Sequence, residues 1–243
     1  MGREISNMVK ASGDIELIAG IEARGHDLIG AQLNGIDITD DIETVIKKAD
    51  CIVDFTNPAA TIDNLEKVKA YKKPYVTGTT GFSKEELKKI DALAKSLAVF
   101  LAPNMSIGVN HLYDMVHSCA SKLRTYDIEV IETHHRAKKD APSGTARAIA
   151  KIIKHVRPDA ELIYGREGTV GTRKQNEVCI NSIRGGDIVG EHRVLFLGKG
   201  EFIELRHYAT SRSCFAAGTL EAVKFIMNKA PGLYSMKDML TKK

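Results

Sequence analysis

The sequence predicts an α/β protein: a Rossmann-like doubly wound parallel sheet without its first strand, followed by an α+β domain with an open mixed sheet. Three observations predict it. Up to residue 105, apolar runs of strand length alternate with amphipathic helical segments, the pattern of parallel strands joined by helical crossovers. Beyond residue 105, strands separated by glycine-rich turns dominate. A length of 243 residues, at roughly 150 per domain, suits two modest domains.

Each element has a local reason. Ile5, Met8 and Val9 recur at helical spacing, which predicts a helix over 1–12, with Gly13 as the left-handed residue past its end. The run 15–21 is apolar apart from Glu16 and reads as a strand buried on both faces, ending in Glu22. Asp40 and Glu43 pair as N-cap and N3 of a helix over 42–49, and 51–55 is the next buried strand. Asn57 then Pro58 start another helix as cap and first-turn proline. A short strand over 75–77 follows, then a capping box from Ser83 to Glu86 opens a helix carrying Leu87, Ile90 and Leu93, and 98–102 is a strand.

A long helix over 107–123 is expected to bury Leu112, Met115, Val116, Cys119 and Leu123. Strands are predicted over 128–134, 161–164, 178–183, 194–197 and 202–208, with one helix over 146–156 between them. The glycines of the segment from Arg184 to His192 suggest a bulged hairpin without chemistry. A helix over 215–229, stopped by Pro231 and Gly232, closes the chain. The domain boundaries so drawn are 1–105, with 215–243 returning to it, and 106–214.

Composition narrows the function classes. Apolar residues make up 43% and charged residues 27%, with a net charge of +4 spread along the chain, so nucleic acid is not a required partner. No apolar run reaches the roughly 18 residues of a membrane span, and the first ten residues are too charged for a secretory signal. Cys51, Cys119, Cys179 and Cys214 stand far apart without a CxxC pair, which fits reduced thiols in a cytoplasmic protein.

The strongest constellation runs from Glu129 to Ala146: a strand, a basic loop with His134, His135, Arg136, Lys138 and Lys139, then the helix start Ser143-Gly144-Thr145. Amide donors and the positive dipole end of a helix favour an anion there. A lysine among cations has its ammonium form disfavoured, which suits proton donation, and adjacent histidines can change charge near neutrality. Consecutive histidines on a strand face opposite ways, which argues against a metal, and no aromatic residues interleave for base stacking. A merely solvated basic loop is the competing reading. Gly78-Thr79-Thr80 and Ala102-Pro103-Asn104-Met105 each follow a predicted strand, where open α/β sheets bind ligands. Glu22 stands where a ribose contact belongs, and Arg24 could meet a 2′-phosphate. The chain starts at Met1-Gly2 already on the helix, so the opening strand and phosphate-binding glycine turn are not expected. A mis-set start codon or a lost cofactor grip would each account for that. Arg212 could pair with a carboxylate at the domain junction.

The run from Glu129 to Ala146, with Asp54-Phe55-Thr56 and Pro58, the segment 76–82, the segment 184–192, and Ser211-Arg212 before Phe215, resembles the bacterial 4-hydroxy-tetrahydrodipicolinate reductase family over essentially the whole chain. The resemblance implies a cytoplasmic homotetrameric reductase using NADH or NADPH, with a dinucleotide-binding domain and a substrate and oligomerisation domain. It implies His134 as the catalytic histidine, Lys138 as proton donor, and His135, Ser143, Gly144, Thr145 and Arg212 as substrate contacts. Cofactor contacts implied are Met1, Glu22, Arg24, Gly78, Thr79, Thr80, Ala102, Pro103, Asn104 and Met105; no metal is expected. The substrate would be a small cyclic dicarboxylate in diaminopimelate and lysine biosynthesis. The alternative from a different class is a non-catalytic dicarboxylate-binding or assembly protein that has lost the nucleotide. A generic short-chain oxidoreductase is weaker, since no Tyr-x-x-x-Lys pair stands in place.

Overall fold

The computed structural model describes residues 1–241; the last two residues of the returning segment, 242 and 243, lie outside the described residues. The chain divides into two units, one from Met1 to Ile107 plus the segment from Arg212 onward, the other from Gly108 to Ser211.

In the first unit α1 (Gly2–Ser12) ends at Gly13, whose φ of 72° is the left-handed conformation that only glycine adopts without strain. A four-stranded parallel sheet has the order β12-β6-β5-β4, from β4 (Ile52–Asp54), β5 (Tyr75–Thr77), β6 (Ala98–Leu101) and β12 (Gly232–Tyr234). Between them run α2 (Pro58–Lys69), capped by Asn57 Oδ1 accepting from the Ala60 amide at 3.1 Å, and α3 (Lys84–Ala94), opened by the Ser83–Glu86 capping box. The last helices are α6 (Ser213–Ile226) and α7 (Met236–Leu240). Fully buried Leu65, Val68, Tyr75, Ile90 and Val99 build one core layer, and Val76, Phe100, Met105, Ala222 and Ile226 another.

Three expectations in this unit are corrected. Only Gly20–Ile21 of the predicted strand is β1, paired with β3 (Ile36–Thr39), which also pairs with β2 (Gln32–Leu33). Residues 15–19 alternate half-buried and exposed and have no strand beside them among the described residues, so apolar sequence alone does not make them a ladder. The predicted helix over 42–49 is one 3-10 turn, Ile42–Thr44, capped by Asp41 and not Asp40: Asp41 Oδ1 takes the Glu43 amide at 2.9 Å, and the Thr44 hydroxyl donates to the Asp41 carbonyl. Strand β12 and helix α7 follow Pro231, where no further element is predicted.

The second unit holds α4 (Ile107–Lys122), α5 (Gly144–Val156) and a five-stranded mixed sheet of order β11-β10-β7-β9-β8. Its strands are β7 (Asp127–His134), β8 (Glu161–Ile163), β9 (Glu177–Arg184), β10 (Gly190–Leu197) and β11 (Phe202–Ala209). One core packs Leu112, Val116, Ile149 and Ile153 of the two helices on Ile128, Val130, Val178, Ile180, Val194 and Phe196 of the sheet. Met115, expected in this core, is 37% exposed, because it lies off the helix stripe that carries Leu112 and Val116. The opposite sheet face leaves Ile183, Phe202 and Tyr208 about half exposed or more (50%, 62% and 49%).

The segment from Arg184 to His192 is not a hairpin. Strand β7 lies between β9 and β10, parallel to the first and antiparallel to the second. The glycine-rich loop therefore wraps over the carboxyl end of β7: Gly185 donates to the His134 carbonyl, His135 to the Ile188 carbonyl and Arg136 to the Gly186 carbonyl.

Candidate active site

Sheet register in the second unit sorts the helix-covered face into rungs. Two are apolar: Ile128 between Val178 and Phe196, and Val130 between Ile180 and Val194. The next two are polar: Glu132 lies between Ser182 and His192, and His134 beside Arg184, with Gly190 where the β10 register continues. The core row thus turns into a cluster of titratable groups at the carboxyl end of the central strand.

Glu132 is fully buried, which a carboxylate tolerates only when paired. Its Oε2 lies 2.5 Å from His134 Nδ1 and accepts from Arg184 Nη1 at 2.9 Å; its Oε1 accepts from Arg184 Nη2 at 2.7 Å and the Ser143 amide at 3.1 Å. Burial pushes its carboxyl up, but hydrogen bonds from His134, Arg184 and Ser182 outweigh that and hold it well below the usual carboxylate range. His134 Nε2 has no hydrogen-bond partner among the described residues, and a Cβ built on Gly190 would stand 3.1 Å from it. The ring of His192 meets that of His134 edge-on at 5.2 Å between centroids.

Ser143 caps α5: its Oγ accepts from the Ala146 amide at 3.1 Å and lies 2.9 Å from His192 Nε2. Burial, then the neighbouring His134, pushes His192 down to about 3, so this imidazole is neutral at physiological pH. Gly144 and Thr145 form the first turn, where outward N–H groups and the macrodipole suit an anion, and the Thr145 side chain is hydrogen-bonded to Tyr113. Lys138 Nζ donates to Asp140 Oδ1 at 2.7 Å, so its closest charged neighbour is an anion and not the cations the sequence reading placed around it. That contact, first of all, lowers the Asp140 carboxyl. His135 is half-buried, and its carbonyl accepts from the Lys138 amide at 3.1 Å in a tight turn.

The structure thus brings His134, His135, Lys138, Ser143, Gly144 and Thr145 to one end of the second unit's sheet. Glu132, Arg184 and His192 belong to the same cluster and were given no role by sequence. The available signal was spacing: Glu132 is two residues before His134 on a strand, hence on its face. A second concavity of this unit, about 460 Å³, is lined by Arg124 and Arg157. Those arginines are used structurally, Arg124 on the Val156 carbonyl and Arg157 on the carbonyls of Ala120, Leu123 and Tyr126.

In the first unit the carboxyl ends of β4, β5 and β6 lie side by side, with Asp54 opposite Thr77 and Thr77 opposite Leu101. The loops they open are tied to them: Gly78 donates to the Asp54 carbonyl, Ala102 to the Thr77 carbonyl, and Asp54 itself accepts from the Tyr75 hydroxyl at 2.5 Å. Thr79, Ala102 and Met105 are buried, Asn104 half-buried, and Thr80 and Pro103 exposed. Met1, at the α1 N-cap, packs into the same small cluster as Phe55, which follows β4. No side chain caps α1, so its first amides face outward as anion donors. Glu22 follows β1 directly, with its amide on the Thr39 carbonyl, and both it and Arg24 are exposed. This donor set fits a dinucleotide lying along the strand ends. Arg212 is exposed at the N-cap of α6, and no ion pair to it is formed among the described residues. Among the described residues no three His, Cys, Asp or Glu side chains group as metal ligands, and no helix is long and apolar enough to cross a membrane.

Comparison with known proteins places the whole chain. Residues 1–105 match the family model "Dihydrodipicolinate reductase, N-terminus" and residues 108–240 match "Dihydrodipicolinate reductase, C-terminus". The 4-hydroxy-tetrahydrodipicolinate reductase of Aquifex aeolicus is 41% identical over 99% of this chain and 94% of its own, and that of Thiobacillus denitrificans 42% identical over the same shares. Among solved structures, the dipicolinate-bound dihydrodipicolinate reductase from Paenisporosarcina sp. TG-14 superposes with a TM-score of 0.80 at 26% identity, over 98% of this chain and 94% of the other.

Proposed function

The chain belongs to the dihydrodipicolinate reductase family, and we propose that its His134 cluster binds and protonates the substrate while the strand-end loops of its first unit hold NADH or NADPH. The protein is a nicotinamide-dependent reductase of diaminopimelate and lysine biosynthesis, converting 4-hydroxy-tetrahydrodipicolinate, after loss of water, to tetrahydrodipicolinate.

One observation carries the assignment of roles: a histidine with one nitrogen buried on a carboxylate and the other unpartnered stands at the strand end that leads to Lys138 and the α5 start. The amides of Gly144 and Thr145 and the Ser143 hydroxyl take one substrate carboxylate, with His135 beside them. Lys138 exchanges Asp140 for the substrate and delivers a proton from Nζ to the ring carbon next to the one reduced. When bound, the nicotinamide supplies the hydride; hydride and proton together saturate one double bond. His134 holds its Nε2 toward the reacting ring.

Met1 and the α1 amides face the phosphates, Glu22 the ribose and Arg24 a 2′-phosphate, so both NADH and NADPH serve. Gly78 to Thr80 and Ala102 to Met105 flank the nicotinamide. The exposed side chains of Ile183, Phe202 and Tyr208 on the open sheet face support a homotetramer of this cytoplasmic enzyme.

The test is the oxidation of NADH and of NADPH in the presence of freshly made dihydrodipicolinate synthase product. Turnover with both cofactors is expected. Dipicolinate binding with no nucleotide binding or turnover would instead favour a non-catalytic dicarboxylate-binding protein.

A further inference from the structure

We infer that Glu132 is a positioning residue of this site: it holds His134 with the proton on Nδ1 and Nε2 turned toward the ligand, while its other oxygen fixes the first residue of the anion-binding helix start. The inference rests on the reductase reading for what His134 then does.

A carboxylate only accepts hydrogen bonds when ionised, and Glu132 is ionised because Arg184 grips it bidentately inside the fold, Nη1 on Oε2 and Nη2 on Oε1. The nitrogen 2.5 Å from Oε2 must therefore carry a proton, which leaves Nε2 as the nitrogen whose proton can come and go. Glu132 and His134 are two apart on β7, so the pleat itself puts both side chains on one face. Strand β9 brings Arg184 to the same face beside His134, which is why the carboxylate finds its counter-ion without a long loop. Oε1 meanwhile accepts from the Ser143 amide at 3.1 Å. One buried anion thus sets both the imidazole and the origin of α5, and a shift of that carboxylate would move the two together.

Glutamine at this position has nearly the same shape, but its amide nitrogen must face either the His134 N–H or the Arg184 guanidinium, donor against donor. A structural ion pair and a positioning carboxylate make different predictions there. In the unmodified protein with ¹⁵N-labelled histidine, two-bond ¹H–¹⁵N correlations at a pH where the ring is neutral should show His134 protonated on Nδ1. A neutral ring protonated on Nε2 would overturn the inference. In Glu132→Gln the Nδ1 preference should be lost, with kcat reduced about a hundredfold, within the range of a positioned acid–base group, and KM within about threefold. A variant that folds and keeps wild-type kcat, or loses only KM, would overturn it as well. Should the variant not fold, the tautomer in the unmodified protein decides. Absence of turnover by the unmodified protein would count against the reductase reading alone, because the tautomer is read without substrate.

Discussion

His192 Nε2 lies 2.9 Å from Ser143 Oγ, with the imidazole 4% exposed and its Nδ1 without a hydrogen-bond partner. An orphaned acceptor costs less than an orphaned donor, so the neutral ring carries its proton on Nε2 and donates it to Ser143. Ser143 Oγ then accepts from both His192 and the Ala146 amide, and its own hydrogen is left to donate to a ligand.

The same burial makes His192 a source of acid sensitivity. Its pKa falls from 6.5 to about 3 on folding, so between those values the unfolded chain holds a proton that the folded one does not. Stability therefore rises with pH in that window and is lost as pH drops, by at most about 1.4 kcal/mol per unit for this group. Glu132, lowered on folding, adds the same sign only below its ordinary value of 4.5, and His207, also lowered by burial, adds the same sign below its ordinary value of 6.5. His192→Gln, which keeps an N–H donor, should flatten the slope of urea-unfolding free energy between pH 4.5 and 6.5. An unchanged slope would show that His192 titrates normally in the folded protein.

Gly190→Ala should act on His134 with little effect elsewhere. The added Cβ would sit 3.1 Å from Nε2 and 3.4 Å from Cδ2, so the ring must give by a few tenths of an ångström. Overpacking of this size costs about 1–3 kcal/mol, or the ring rotates off Glu132. Turnover should fall at least about tenfold, as a misaligned acid–base group predicts, with the thermal midpoint changing by only a few degrees. Wild-type kcat in this variant would mean that His134 Nε2 does not face the reacting ring.

What was legible in the sequence was local. Asn57, Ser83 and Glu86 specify helix starts through side-chain bonds within three residues, and the structure has those bonds. The helix start at Ser143 was legible for the same reason, and its hydroxyl accepts from the Ala146 amide. The hairpin expected over 184–192 failed because pairing of β9 and β10 is decided by β7, some fifty residues upstream, which takes the place between them. With that insertion unseen, Arg184 and His192 looked like turn residues, though it is the insertion that carries both to Glu132. The strand expected over 15–21 failed in the opposite way, since a strand needs a neighbour and only Gly20 and Ile21 have one. The surroundings of Lys138 differ from the cationic ones expected because Asp140, two residues on, reaches its ammonium.

Gly218→Ala should test the support of the cofactor-side loop. A Cβ there would come within 1.8 Å of the Met105 carbonyl oxygen, a backbone atom that cannot swing aside. Helix α6 therefore lies directly on the loop that follows β6. The substitution should destabilise the protein by about 2 kcal/mol or more through overpacking, and nucleotide affinity should fall with it because Ala102 to Met105 must shift. A melt and a nucleotide titration indistinguishable from wild type would show that the helix does not press on the loop.

The pair Lys138 and Asp140 yields opposite effects from its two halves. Before substrate binds, Asp140 occupies the ammonium at 2.7 Å, and Arg147 approaches its other oxygen at 3.6 Å. A substrate carboxylate must compete with this contact. Both partners are partly exposed, so the competition is worth only the few tenths to one kcal/mol of a surface pair, about two- to fivefold in affinity. Asp140→Asn should accordingly tighten pyridine-2,6-dicarboxylate binding by that factor in calorimetry. Lys138→Ala, which removes the donor itself, should lower kcat by about a hundredfold or more while changing dicarboxylate affinity far less, since the helix start still holds the anion. Weaker binding in Asp140→Asn would mean that the carboxylate orients the lysine and does not compete for it. Unchanged turnover in Lys138→Ala would move the proton donor elsewhere.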